Sequence, residues 1–363
     1  MEIGIIGLPW AGKTTVFNAV TSGNLAITGY ADKPNIGVAK VPDERIEKLA
    51  DMYNPKKVIS AQVTYVDVPP PPEGFGKTRG IGGEYLNALQ SNDALMVVTR
   101  AFENPSVAHV DETIDPTRDA ENMIMEMIFS DIGVLDRRLP RIEDSYKGAN
   151  SQERGALTQE KELLVKVKGK LEDGIALKDQ GLSDDEAKRM VGFGFLSIKP
   201  LILVMNIGED QLPQMEKLEK EIAGVFQGEH VRTAVVCAQL EMELVQMDPE
   251  EEREFRQEMG AGESSLSRMV KLSYDVVDQI SFFTVGEDEV RAWEIPRNTV
   301  ARHAAGTIHS DLQRGFIRAE VISYENLVEC GGLVEARKRG FLRQEGKDYV
   351  LSDGEIMHVL FNL

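Results

Sequence analysis

The chain has 363 residues, and its 60 acidic residues outnumber its 41 basic residues, giving a formal net charge of −19. A chain this acidic repels bare nucleic acid, so non-specific DNA binding is not expected. No stretch approaches the ~18 uncharged apolar residues of a membrane span, and the length suits two or three domains.

The N-terminal segment and the two cysteines favour a cytoplasmic protein with no membrane partner. The segment MEIGIIGLPW has no basic residues ahead of its apolar run, so a signal peptide is not expected. Cys237 and Cys330 are far apart in the sequence, which argues against a disulfide framework or a zinc site. We therefore expect the reducing environment of the cytoplasm.

The first third of the chain alternates strand and helix patterns, beginning with the apolar run at residues 1–7. Further apolar runs predict strands at 36–41, 63–68 and 94–102. Such alternation is typical of a parallel, doubly wound sheet. The apolar runs at 199–206 and 231–238 predict two more strands of the same sheet.

Residues from about 119 to 193 have a different pattern, rich in Glu, Lys, Met, Leu and Arg. Apolar residues recur there at helical spacing, and a polar break at 146–155 divides the segment into two. We predict a helical hairpin inserted into the sheet domain, because strand patterns resume afterwards. From about residue 280 onwards, short alternating strands predict a small β-rich domain.

Residues 7–14 (GLPWAGKT) match the phosphate-loop pattern G-x-x-x-x-G-K-[ST] between a strand and a helix. The glycines let the backbone curl so that successive N–H groups face phosphate oxygens. Lys13 is expected to contact the β- and γ-phosphates, and the Thr14 hydroxyl to bind Mg²⁺. The residues predicted to surround the phosphates are Pro9, Trp10, Ala11, Gly12, Lys13, Thr14 and Thr15.

Asp67 ends the apolar strand VTYVDV. P-loop NTPases place the second carboxylate that organises Mg²⁺ at this point. The alternative is an ordinary strand-end aspartate that caps a turn. We favour the metal role, so Thr14 and Asp67 form the predicted Mg²⁺ site.

Asn206 follows the apolar run LILVM and begins the segment Asn206-Ile207-Gly208-Glu209. Guanine-specific switch proteins carry N-K-x-D here, and the Asp carboxylate accepts both guanine N1–H and N2–H₂. Glu209 replaces that Asp, and its extra methylene moves the carboxylate away from this position. We therefore expect guanine to lose its paired contact and the site to lose discrimination for it.

With these motifs in view, the chain resembles the Obg-like ATPases of the YchF type, within the TRAFAC class of P-loop GTPases, nearly from end to end. Residues 34–50 and 80–86 resemble that family's switch I exit and the end of its switch II. Residues 102–110 resemble its F-E-N…H-V segment, and residues 235–241 resemble its base loop. Much of residues 289–363 resembles its TGS domain.

This resemblance implies an α/β fold with a P-loop, doubly wound, mostly parallel sheet, an inserted α-helical hairpin and a small C-terminal β-grasp (TGS) domain. The implied nucleotide-binding domain comprises residues 1–130 and 195–278. The helical domain then covers 131–194, and the TGS domain covers 279–363.

The resemblance also implies a function. It implies hydrolysis of ATP to ADP with ATP preferred over GTP, in a ribosome-associated regulator of translation and stress responses. The implied cofactor is Mg²⁺, with K⁺ a further candidate, and the implied partner is the ribosome through its large subunit. His109 occupies the place of the family's candidate catalytic histidine. The implied base-binding residues are Asn206, Ile207, Glu209, Cys237, Ala238 and Gln239.

Two residues depart from the family pattern where the γ-phosphate is sensed. Ala31 stands in place of a threonine and has no hydroxyl for Mg²⁺. Pro70 replaces the glycine of D-x-x-G, and proline has no N–H to donate to the γ-phosphate. We expect nucleotide binding to survive and hydrolysis to be slow or differently organised.

Three functions remain open from the sequence. The favoured one is an ATP-dependent switch acting on the ribosome. The second is a nucleotide-binding scaffold with little or no hydrolysis, which Ala31 and Pro70 support. The third is a P-loop small-molecule kinase, in which the TGS-like tail and the base motif would have no role.

Overall fold

A computed structural model describes residues 1–23, 34–69, 81, 83–107, 113–259 and 264–362. Ala31, Pro70 and His109, on which three of the expectations rest, lie outside these residues. The chain divides into two compact units. The first unit comprises Met1–Gly37 and Thr64–Met269, and the second comprises Val38–Val63 and Val270–Leu363.

The described part of the chain contains strands in both units. The strands are β1 (Glu2–Ile6), β2 (Asn35–Lys40), β3 (Lys57–Ile59), β4 (Gln62–Asp67), β5 (Ala94–Arg100), β6 (Leu201–Asn206), β7 (Val231–Val236), β8 (Gln279–Thr284), β9 (Glu289–Pro296), β10 (Phe316–Ser323), β11 (Arg343–Glu345) and β12 (Glu355–Phe361).

The helices vary from a single turn to more than thirty residues. They are α1 (Lys13–Thr21), α2 (Glu44–Tyr53), α3 (Gly83–Gln90), α4 (Pro116–Gly148), α5 (Ser151–Glu172), α6 (Asp184–Met190), α7 (Met215–Val225), α8 (Ala238–Leu244), α9 (Pro249–Met259), α10 (Ser265–Val276), α11 (Ala301–Ile308), α12 (Ser310–Arg314), α13 (Tyr324–Cys330) and α14 (Leu333–Arg339).

The first sheet has the strand order β2-β4-β1-β5-β6-β7. Strand β1 pairs in parallel with β4 and β5, and β6 pairs in parallel with β5 and β7. Strands β5 and β6 are buried along their whole length, as expected for central strands of a sheet covered on both faces. Because the strands are parallel, the carboxyl ends of β1, β4, β5 and β6 meet at one edge, and the phosphate loop leaves β1 there.

Helices α4 and α5 form the predicted hairpin. Asp115 caps the start of α4, and Asn150 starts α5 with a reciprocal capping box to Glu153. The chain therefore reverses at residues 149–150, inside the predicted polar break. A set of buried apolar side chains joins the two helices to the segment that follows them: Ile128, Leu135, Ile142, Leu163, Leu164, Val167, Leu171, Ala176, Leu177, Met190 and Phe195.

The buried carboxylate of Asp131 attaches α4 to the segment that leads into β6. Its two oxygens accept hydrogen bonds from the backbone N–H groups of Leu196 and Ser197, both at 2.8 Å. Burial raises the pKa of Asp131 to about 6, against the opposing effect of these hydrogen bonds. One side chain therefore satisfies two buried N–H groups at the base of the hairpin.

The second unit contains a mixed sheet with the strand order β11-β10-β12-β8-β9-β3. Helix α11 presents Ala301, Ala304 and Ala305 to the core of this unit, and all three are fully buried. These small residues let the helix lie close to the sheet. Strands β8 and β9, and β10 and β12, pair antiparallel, whereas β12 and β8 pair in parallel.

Residues 38–63, which the sequence assigns to the nucleotide-binding domain, form part of this second unit. Strand β3 adds to the sheet in parallel with β9. On α2, Arg45 lies over the Phe283 ring at 5.2 Å and donates to the Asp353 carboxylate at 2.7 Å. Residues 38–50 of the segment resembling the switch I exit thus belong to the second unit. Of the helices in the described residues, none is long and apolar enough to cross a membrane.

Replacing Asp131 should destabilise the first unit. In Asp131→Ala the buried N–H groups of Leu196 and Ser197 lose their acceptors, and each unpaired group costs about 1–3 kcal/mol. We expect the free energy of unfolding to fall by about 3 kcal/mol in urea denaturation monitored by circular dichroism. The control is Asp136→Ala on the same helix, where a partly exposed pair with Lys168 is lost, and a change below about 1 kcal/mol is expected. Equal effects of the two substitutions would contradict the role of Asp131.

Candidate nucleotide-binding site

The phosphate loop follows β1, and neither of its two glycines could be replaced. Gly7 has a φ of 150°, and a Cβ on it would lie 2.2 Å from the carbonyl oxygen of Val98. Gly12 has a φ of 87°, and a Cβ on it would lie 2.2 Å from the Asn206 Nδ2 atom. Only glycine fits both the backbone conformation and the space at these positions.

Lys13 is folded back onto the phosphate loop. Its Nζ donates to the carbonyl oxygen of Gly7 at 3.0 Å and to that of Leu8 at 3.5 Å, and only 8% of the residue is exposed. Burial lowers the pKa of Lys13 to about 8, although the Asp67 carboxylate acts in the opposite direction. The loop therefore holds a lysine whose charge is poorly compensated until an anion arrives.

Thr14 and Asp67 meet at the ends of α1 and β4. The Thr14 hydroxyl donates to an Asp67 carboxylate oxygen at 2.9 Å. Burial raises the pKa of Asp67, and this outweighs the lowering by Thr14, Lys13 and Asn35. A buried carboxylate beside a hydroxyl is a set of hard oxygen donors.

These two side chains fit a magnesium ion. Mg²⁺ keeps several waters and is usually held by one or two protein oxygens plus substrate phosphates. The residues described contain no group of three or more His, Cys, Asp or Glu side chains able to hold a metal by themselves. A metal at Thr14 and Asp67 would therefore take its remaining ligands from water and from the nucleotide phosphates.

Asn206 lies at the end of β6 and connects two loops. Its Nδ2 donates to the Ala11 carbonyl oxygen at 3.1 Å, and its Oδ1 accepts from the Ala238 N–H at 3.1 Å. One amide thus joins the phosphate loop to the start of α8. Among the described residues the second Nδ2 hydrogen has no acceptor, since an amide nitrogen has two hydrogens and Ala11 takes one.

The other residues predicted to bind the base divide into buried and exposed ones. Ile207, Cys237 and Ala238 are buried, and burial raises the pKa of the Cys237 thiol. Glu209 is exposed at the start of a short 3₁₀ helix, Glu209–Gln214. Gln239 is also exposed and donates to Glu243. Of the predicted base-binding side chains, those of Glu209 and Gln239 are therefore the ones accessible from solvent.

Trp10 is the most exposed residue of the predicted phosphate site. Its φ is 66°, and 51% of its surface is accessible. A positive φ is uncommon for a residue with a bulky side chain. Pro9 and Thr15, on either side of the loop, are half-buried.

Phe102 belongs to the site, although its side chain was not singled out from the sequence. A Cβ on Gly12 would lie 3.8 Å from Phe102 Cε1, and a Cβ on Gly208 would lie 3.5 Å from Phe102 Cβ. The side chain therefore fills the space between the phosphate loop and the base motif. The signal in the sequence was an aromatic residue just beyond the charged end of an apolar strand.

Glu241, at the end of the segment that resembles the base loop, joins this segment to α9 and α10. Both of its oxygens pair with the Arg256 guanidinium, at 3.0 and 2.6 Å, and one also accepts from the Ser265 N–H. Both side chains of the ion pair are buried. The pair fixes α9 and the start of α10 against α8, whose first residue is Ala238.

The central parallel sheet, the glycine loop and the paired Thr14 and Asp67 define a P-loop nucleotide-binding protein. Residues 2–130 match the model of a family described as 50S ribosome-binding GTPase. Residues 279–362 match the model of the YchF GTPase C-terminal region, described as a protein of unknown function.

Whole-chain comparisons are more specific. The chain is 35% identical over 368 residues to the Ribosome-binding ATPase YchF of Bacillus subtilis, with 100% of both chains covered. It is 33% identical over 365 residues to the Pasteurella multocida protein of the same name, covering 100% of this chain and 99% of that one. The structure of the Schizosaccharomyces pombe YchF GTPase matches with a TM-score of 0.85 and 29% identity, covering 99% of this chain and 97% of that one.

The chain therefore belongs to the YchF family of P-loop proteins. The predicted family and fold class are both confirmed.

Proton uptake should accompany binding of a triphosphate. The free Lys13 has a pKa of about 8, and nearby phosphates favour its charged form and raise that pKa. At pH 9 most free Lys13 is neutral, so binding should take up nearly one proton, and at pH 7 very little. Calorimetry of ATP binding in two buffers of different ionisation enthalpy measures this number. Identical enthalpies in both buffers at pH 9 would show that Lys13 does not gain a proton.

Proposed function

We propose that the protein binds ATP with Mg²⁺ at residues 7–15, hydrolyses it to ADP, and acts on the ribosome in the cytoplasm. The observation that carries this proposal is the position of Asn206. Its amide connects the phosphate loop at Ala11 to the base loop at Ala238. A nucleotide bound by the phosphate loop would therefore extend its base towards Asn206.

The exposure of Glu209 supports the proposed preference for ATP. Guanine recognition needs a carboxylate that is held in place to accept from N1–H and N2–H₂. Glu209 is exposed, and within the described residues no hydrogen bond fixes its carboxylate. The second Nδ2 hydrogen of Asn206 can be donated to purine N7, an acceptor that adenine and guanine share. The site thus keeps a contact with any purine but has no fixed partner for guanine.

The chemistry proposed for the phosphates depends on charge. Lys13 would move from the carbonyls of Gly7 and Leu8 to the β- and γ-phosphates, where an ammonium stabilises developing negative charge. Thr14 and Asp67 would hold Mg²⁺, which supplies further positive charge at the same oxygens. His109 is the proposed group that orients the attacking water.

A second candidate function is nucleotide binding without turnover. The residues after Asp67 are Val68 and Pro69, and the sequence continues with further prolines, which have no N–H for the γ-phosphate. On this alternative the protein would hold ATP and act as a scaffold.

The proposed ribosomal role rests on the relatives, which are named ribosome-binding ATPases. The basic run Arg337-Lys338-Arg339 is not a free cationic surface. Arg337 donates to both oxygens of Glu320, while Lys338 and Arg339 pair with Glu335. We therefore assign no ribosomal contact to this run.

Titration of the nucleotide-free protein with ATP and with GTP, in Mg²⁺ and with phosphate release followed, tests the proposal. We expect ATP to bind more tightly and to be hydrolysed. In Lys13→Ala the phosphates lose a charged partner, so ATP affinity should fall about 100-fold, equivalent to about 2.7 kcal/mol. The control is Lys217→Ala, an exposed lysine paired with Glu221, which should bind ATP as the unmodified protein does.

Other results of these titrations would support a different function. ATP binding without phosphate release would select the scaffold. Tighter binding of GTP would show that Glu209 recognises guanine. Co-sedimentation with 70S ribosomes or their subunits, with and without ATP, tests the ribosomal part separately.

A further inference from the structure

Arg100 is a buried arginine in the first unit. It is the last residue of β5, and it is 3% exposed. Within the described residues, no ion pair joins it to a carboxylate. Burial of a guanidinium costs free energy unless its N–H donors are hydrogen-bonded. The groups that accept from Arg100 therefore indicate its structural role.

Those partners are carbonyl oxygens of the loop that follows the strand. Arg100 Nε donates to Phe102 O at 3.1 Å, and Nη2 donates to Asn104 O at 3.4 Å and to Val107 O at 3.1 Å. The guanidinium also lies 4.9 Å from the centre of the Phe102 ring. One side chain therefore fixes the backbone of residues 102–107 and the face of an aromatic ring.

The loop that Arg100 holds also contacts the candidate nucleotide site. The Ala101 N–H donates to the Asn206 carbonyl oxygen at 2.8 Å, and β5 and β6 pair with Arg100 opposite Asn206. Phe102 lies between Gly12 of the phosphate loop and Gly208 of the base motif. A nucleoside that spans these two loops has to pass Phe102.

We propose that Arg100 is a positioning residue that fixes Phe102 against the nucleoside and so contributes to ATP affinity without touching ATP. This inference rests on the proposed function. The planar guanidinium is suited to the task because it reaches several carbonyls in a fixed fork while facing the ring. A lysine would keep the charge, but its single ammonium group cannot donate to the same carbonyl oxygens in a planar fork while facing the ring.

The test compares two ligands and two substitutions at Arg100. Arg100→Lys keeps the charge and loses the fork, whereas Arg100→Gln keeps two donors and loses the charge. ATP and inorganic tripolyphosphate, which has no nucleoside, are titrated by calorimetry against each variant. Thermal unfolding of each variant is measured first, so that the titrations are made at a temperature at which all the variants are folded.

We expect Arg100→Lys to weaken ATP binding about tenfold, the equivalent of one charged hydrogen bond. Binding of tripolyphosphate should stay within about twofold for both variants, because their phosphate loop is unchanged. In a Phe102→Ala background, Arg100→Lys should weaken ATP binding by less than about twofold more, because the ring through which Arg100 acts is gone. The control is Arg138→Lys in the hairpin, where a bidentate pair with Glu160 is lost and ATP affinity should not change.

Other results would overturn the inference. Equal weakening of ATP and tripolyphosphate binding in either variant would mean that Arg100 acts on the phosphate loop and not through Phe102; if only Arg100→Gln showed it, the effect would come from the lost charge. Additive effects of Arg100→Lys and Phe102→Ala would mean that it does not act through the ring. Unchanged ATP affinity in Arg100→Lys would remove this role while leaving the proposed function intact. Failure of the unmodified protein to bind ATP would instead overturn the proposed function itself.

Discussion

The amide of Asn206 is the contact on which the candidate site depends. It donates to Ala11 in the phosphate loop and accepts from Ala238 at the start of α8, so it joins two segments far apart in the sequence. Gly12 lies so close to this amide that no side chain could be added there. The spacing between the phosphate loop and the start of α8 is therefore set by one hydrogen-bonded side chain.

Two buried charged groups of the candidate site, Lys13 and Asp67, would gain opposite charges from a bound ligand. Burial lowers the pKa of Lys13 and raises that of Asp67, so both groups are less stable as ions than they would be in water. A metal-bound triphosphate brings negative charge to the lysine and positive charge to the carboxylate. The folded site thus gains more from such a ligand than a surface lysine and aspartate would.

The sequence was sufficient for the parts of the fold that depend on local patterns. The apolar runs of β5 and β6, the glycines of the phosphate loop and the helical spacing before and after residues 146–155 each predict what the structure contains. What could not be predicted depends on contacts between distant segments. No local pattern assigns residues 38–63 to the second unit, and no motif shows that Arg100 holds the loop of Phe102.

Asn206→Asp tests the central claim most directly. Aspartate can still accept from the Ala238 N–H, but its other oxygen would face the Ala11 carbonyl oxygen and repel it. Titrations with inorganic tripolyphosphate and with adenosine separate the two halves of the site. If the amide couples the two loops, the substitution weakens binding of both ligands. Weakened binding of adenosine with unchanged binding of tripolyphosphate would contradict the claim, because Asn206 would then serve the base alone.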